Sequence, residues 1–65
     1  MDSKKDYHGN YKKRESVAKR IAINNYNLTH AMINNGGVYK YTSKLVSLHN
    51  EMYRLCKEAD EMMKN

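Results

Sequence analysis

The sequence predicts an all-α domain of three helices, with a basic N-terminal arm and a long C-terminal helix. Three observations lead there. Apolar residues recur at helical spacing in two short windows ahead of Asn34. Asn34-Asn35-Gly36-Gly37 is a strong helix stop, because Asn and Gly supply the left-handed residue that ends a helix. Beyond it, Leu45, Leu48, Met52, Leu55, Ala59 and Met62 are separated by 3, 4, 3, 4 and 3 residues, the 3.5-residue period of a coiled coil.

Each element follows from its residues. Residues 1–13 show no apolar period and read as a flexible basic arm; residues 14–65 form the folded domain. Val17, Ala18, Ile21 and Ala22 lie on one helical face, and Ser16 is placed to cap that helix. Asn24 and Asn25 break the pattern, since Asn side chains compete for backbone hydrogen bonds inside a helix and favour turns and caps. Leu28, Ala31 and Met32 mark a second helix, about residues 25–33. Val38–Thr42 alternates like a short extended connector, and Thr42 or Ser43 caps a third helix that runs to about Met62.

Composition narrows the function. Sixty-five residues make one domain with a small core, and a chain of this size usually needs a partner chain or a staple. The single cysteine, Cys56, excludes an internal disulfide. No stretch of about 20 apolar residues suits a membrane span. One thiol and no export signal predict a reducing, cytoplasmic setting. The net charge of +5 gathers at the N-terminal end: residues 1–20 hold seven Lys/Arg against three acids, while residues 21–37 hold no charged side chain except His30 when protonated. That field suits a polyanion, whose counterions Lys and Arg release; it also suits a merely solubilising tail.

The catalytic constellations are empty. His49 and Cys56 share a helix face but have no further ligand, so no metal site is expected. Gly36-Gly37 lacks the lysine of a phosphate loop. Glu58, Asp60 and Glu61 read as a solvated acidic cluster. Neither an enzyme nor a cofactor is expected, and no catalytic residue is assigned.

The stretch Val17–Gly37 resembles the helix-turn-helix of lac-repressor-type and small phage regulators. Val17-Ala18 stands where that family opens its first helix, Ala22-Ile23-Asn24 at its turn, and Leu28-Thr29 inside its recognition helix. Ala22 departs from the family's usual glycine. The resemblance implies a sequence-specific DNA-binding regulator of phage or mobile-element type, with residues 25–33 entering the major groove of double-stranded DNA. It makes Asn25, Tyr26, Asn27, Thr29 and His30 the base contacts and Lys12, Lys13, Arg14, Lys19 and Arg20 the phosphate contacts.

The C-terminal heptad seam extends past what a three-helix core covers. Leu55, Ala59 and Met62 are therefore expected at a homodimer interface, unless the seam packs on the chain's own first helix. The alternative architecture is a two-helix hairpin, residues 15–34 against 38–63, dimerising as in the Rop-type plasmid copy-number proteins and binding RNA. Glu51-Met52-Tyr53-Arg54-Leu55-Cys56 resembles part of such a protein. A third class is a small inhibitor of a host protein. Asn24-Asn25 discriminates the first two: a break there makes a helix-turn-helix, an unbroken helix makes a hairpin.

Overall fold

The helix does not break at Asn24-Asn25. The computed structural model describes residues 3–64, and it shows two helices, α1 (Ser3–Ile33) and α2 (Val38–Met63), with no strand among the described residues. They run antiparallel as a slender hairpin of 50 × 15 × 14 Å. The protein is all-α, but the three-helix arrangement is corrected to two. Residues 3–13 of the expected arm belong to α1, and the rest of the arm lies outside the described residues. Val38–Thr42, expected to be extended, is the first part of α2. Ser16, Thr42 and Ser43 are interior helical residues rather than caps.

The turn is where the sequence placed it. Asn35 adopts φ 59° and ends α1. The Gly36 N–H donates to the Ala31 carbonyl (3.0 Å) and the Asn35 N–H to the Met32 carbonyl (3.3 Å). This pair of bonds is a Schellman motif, which satisfies carbonyls that the helix end would otherwise leave open. Gly37 follows at φ 66°, a conformation that costs glycine little, and the chain reverses into α2.

Both helices present a heptad seam to each other. On α2 the seam positions, all buried or half-buried, are Val38, Tyr41, Leu45, Leu48, Met52, Leu55, Ala59 and Met62, the periodic set continued back to the turn, with Thr42 and Glu51 half-buried beside it. On α1 they are Tyr7, Asn10, Arg14, Val17, Ile21, Asn24, Leu28 and Ala31, the same 3–4 step with three polar members. Val17, Leu48 and Leu55 form the centre of the core, with Ile21 and Met52 packed against them. Ala18 and Ala22, read from the sequence as part of the packed face, are exposed.

Asn24 explains why α1 continues. Its side chain is buried, and its amide Nδ2 donates to the Tyr41 carbonyl of α2 at 2.8 Å. A donor engaged across the seam does not compete for α1's own backbone, so the tertiary contact overrides the local preference for a turn. Asn10 repeats the device two heptads earlier: it is buried, and its Nδ2 donates to the Leu55 carbonyl at 2.9 Å. An unpaired amide in that position would cost roughly 1–3 kcal/mol.

Candidate nucleic-acid interface

The heptad sorts every other residue onto one side or another. Residues that directly follow a seam residue lie on one broad face of the hairpin. Residues that directly precede a seam residue lie on the opposite face, and the remainder form the outer backs of the helices. The side of the preceding residues is fixed by the Arg20 Nη2–Glu51 Oε2 ion pair at 3.9 Å, which bridges the helices there, and by Glu58, whose Oε1 accepts from Asn10 Nδ2 at 3.4 Å.

Charge is segregated by this sorting. From Tyr7 onward the preceding and back positions carry nine Lys/Arg: Lys12, Lys13, Lys19 and Arg20 on α1, and Lys40, Lys44, Arg54, Lys57 and Lys64 on α2. Against them stand Glu51, Glu58 and Glu61, leaving a net of +6. The following positions carry no Lys or Arg and two acids, Glu15 and Asp60. The preceding face itself carries five Lys/Arg against three acids, a net of +2, and the backs carry four with no acid, while the opposite face is weakly acidic, a division that the net charge of +5 conceals.

The strongest positive feature is a ridge on α1. Lys12 and Lys19 are seven residues apart, as are Lys13 and Arg20, so each pair projects in one direction about 10.5 Å apart along the axis. No acid of α1 lies on this flank from Tyr7 onward. Lys12 meets Glu15 at 3.8 Å and Arg20 meets Glu51 at 3.9 Å, both between solvent-exposed groups, so these pairs contribute only about 0–1 kcal/mol and yield readily to a ligand. Lys13 and Lys19 form no ion pair among the described residues. Two shallow, open grooves lie beside the ridge. One is lined by Lys13, Glu51, Arg54, Leu55 and Glu58, the other by Arg20, Ile23, Asn24, Asn27, Tyr41 and Lys44.

The five residues expected to read bases do not share a surface. Asn25 and Thr29 lie on the neutral face, Asn27 and His30 on the basic face, and Tyr26 on the back of α1. Three of them are engaged within the helix. Thr29 Oγ1 donates to the Asn25 carbonyl at 2.9 Å, and the Tyr26 and His30 rings meet at a tilt of 52° with centroids 4.4 Å apart. With α1 unbroken, residues 25–33 are the last turns of a long helix whose seam from Tyr7 to Ala31 packs on α2, not a separate helix free to enter a groove.

Of the five expected phosphate contacts, Lys12, Lys13, Lys19 and Arg20 form the ridge. Arg14 turns inward. Its Nε donates to Asn10 Oδ1 at 2.7 Å, its guanidinium carbon lies 5.5 Å from the Tyr7 ring centre and 5.7 Å from that of Tyr11, and its Nη2 is buried without a hydrogen-bond partner. Stacking on two π faces offsets part of the loss of hydration. Leu55, Ala59 and Met62, expected between two chains, face α1 of their own chain: Leu55 and Ala59 are buried and Met62 half-buried there. Sequence reasoning missed the α2 contribution of Lys40, Lys44, Arg54 and Lys57 to the basic side. Sorting both helices by one heptad frame would have found it.

Among the described residues no group of three or more His, Cys, Asp or Glu side chains is placed to hold a metal ion, and no helix is long and apolar enough to cross a membrane. No protein-family model matches the chain, and neither a curated protein nor a solved structure resembles it significantly.

Proposed function

We propose that the chain is a nucleic-acid-binding hairpin that grips the phosphate backbone of double-stranded DNA through the basic ridge of α1. The observation that carries this reading is the segregation of charge: nine Lys/Arg on the basic face and backs, none on the opposite face. On α1 itself Lys12, Lys13, Lys19 and Arg20 gather on one flank that holds no acid from Tyr7 onward, a clustering that solubility alone does not require. A surface for a polyanion gains from concentration, because each neutralised phosphate releases counterions.

The mode differs from that of a helix-turn-helix. Lys and Arg on a rigid helix position a backbone without reading sequence. Asn27 and His30, on the same side as Lys13 and Arg20, supply hydrogen bonds to phosphate or sugar rather than a code. The role that fits is help in assembling a nucleoprotein complex rather than recognition of one operator.

The test is fluorescence anisotropy of a random-sequence DNA duplex titrated with salt. A ridge of four cations predicts that log affinity falls against log salt with a slope of about −3 to −4. The double variant Lys12→Gln/Lys19→Gln is expected to reduce that slope by about 2, with far-UV circular dichroism unchanged, whereas Ser43→Gln/Asn50→Gln on the back of α2 leaves it in place. Absence of binding at low salt sinks the reading. An RNA duplex bound more tightly than DNA at every salt concentration would move it to RNA.

A further inference from the structure

The face opposite the basic one has no function in that reading, and it has the character of a buried surface. Six of the nine large apolar side chains that stand exposed on the hairpin lie on it: Tyr11, Met32, Tyr39, Val46, Tyr53 and Met63. On α2, Tyr39, Val46 and Tyr53 recur every seven residues and are 83%, 62% and 69% exposed. Residues of the second seam that they make with Thr42, His49 and Cys56 again alternate by 3 and 4. A helix with two seams at this spacing is patterned to pack against helices on two sides. On α1 the same face offers Ala18 and Ala22, whose small side chains permit close approach of another helix.

We infer that this neutral face binds a second copy of the chain, so that two hairpins close into a four-helix bundle. Two observations favour a second copy as the occupant. The first is area. A compact monomer of 7.7 kDa exposes about 4,300 Å². This chain, drawn out as a two-helix hairpin, exposes 5236 Å², about 900 Å² more, an excess over its whole surface comparable with the roughly 800 Å² that a stable interface covers on each partner. The second is charge. Two chains of net charge +5 repel each other in most orientations. The neutral face is the orientation in which their basic sides point apart. It carries only two acids, Glu15 in the heptad row of Ala22 and Asp60 in that of Tyr39, Val46 and Tyr53, and the positions nearest the seam are uncharged apart from His49. The inference does not rest on nucleic-acid binding, and the dimer leaves both basic ridges outward.

Sedimentation equilibrium of the full chain at tens of micromolar tests it without nucleic acid. The wild type is expected at twice the chain mass. Val46→Lys places a cation in the face twice per dimer and is expected to weaken association by about 100-fold or more. Ala22→Lys, on the other helix, does the same. Ser47→Lys, next in sequence but on the basic face, leaves the dimer intact. All three positions are exposed in the hairpin, so helicity is preserved. The Cys56 thiol, exposed on the same face, reports independently: its reaction with a thiol reagent slows as the wild-type concentration rises, and does not in Val46→Lys. A monomeric wild type overturns the inference, as does a dimer indifferent to Val46→Lys and Ala22→Lys, or one dissociated equally by Ser47→Lys.

Discussion

The two seams of the hairpin have the same geometry and opposite chemistry. Every seam position of α2 is apolar apart from the Tyr41 hydroxyl, while α1 meets it with Asn10, Arg14 and Asn24 among its eight. The seam of α2 supplies burial; that of α1 supplies specificity as well. An apolar seam alone packs nearly as well after sliding by a heptad. Asn10 and Asn24 bond to the carbonyls of Leu55 and Tyr41, each 14 residues from its counterpart, so one register satisfies both amides together. A polar residue at a coiled-coil seam fixes register in this way, at some expense of stability.

The pairing of the helices is most vulnerable at its apolar centre. Leu48→Ala truncates a buried member of the central cluster with Val17 and Leu55 and is expected to cost about 2–5 kcal/mol. A chain of this size holds only about 3–10 kcal/mol in total. Urea unfolding should therefore show a midpoint shifted far down or a chain unfolded in buffer. A loss below 1 kcal/mol would mean that the seam is not the core.

Next, the two asparagines should respond oppositely to the same change. Asn24→Leu leaves the Tyr41 carbonyl with its own helical partner and adds apolar burial, so stability rises by about 1 kcal/mol. Asn10→Leu also removes the acceptor of Arg14 Nε and leaves that guanidinium more poorly paired, so stability falls by about 1–3 kcal/mol. Thermal melts of the two variants side by side decide the matter; equal effects would show that Arg14 is not held by Asn10. The smallest effect is at the turn. Asn35→Gly relieves a left-handed residue and is expected to stabilise by a few tenths of a kcal/mol, with Asn35→Val costing more than 1 kcal/mol.

The same contrast explains what could be read in the sequence. The α2 helix was legible from Leu45 to Met62 because its seam positions there are all apolar, whereas Val38–Thr42 was read as an extended connector because its local alternation masks the same period continuing through Tyr41 and Val38. The stop at residues 34–37 was legible because Asn and Gly have a local reason to be there. The course of α1 was not. Its seam passes through Asn10, Arg14 and Asn24, so an apolar count finds two broken windows instead of one period, and Asn24-Asn25 imitates a turn. What rescues the helix is a carbonyl 17 residues away, which no local window contains. Of the candidate site, the lysines of α1 were visible as a cluster, but their segregation from the opposite face needed the seam of α1 to be known first.

Only residues 34–37 separate the helices, so the hairpin can close like a zipper from that end. The Asn24–Tyr41 bond joins residues 17 apart, whereas Asn10 and Leu55 are 45 apart. Bringing such ends together in a free chain becomes more expensive with the logarithm of their separation, but once the turn has formed each successive heptad adds only a short step. Contacts this local are those of fast-folding helical proteins. The order of closure also sets the order of opening: amide protons near Asn24 and Leu45 exchange last, and those near Asn10 and Ala59 exchange first, so the hairpin loosens from its open end toward its turn.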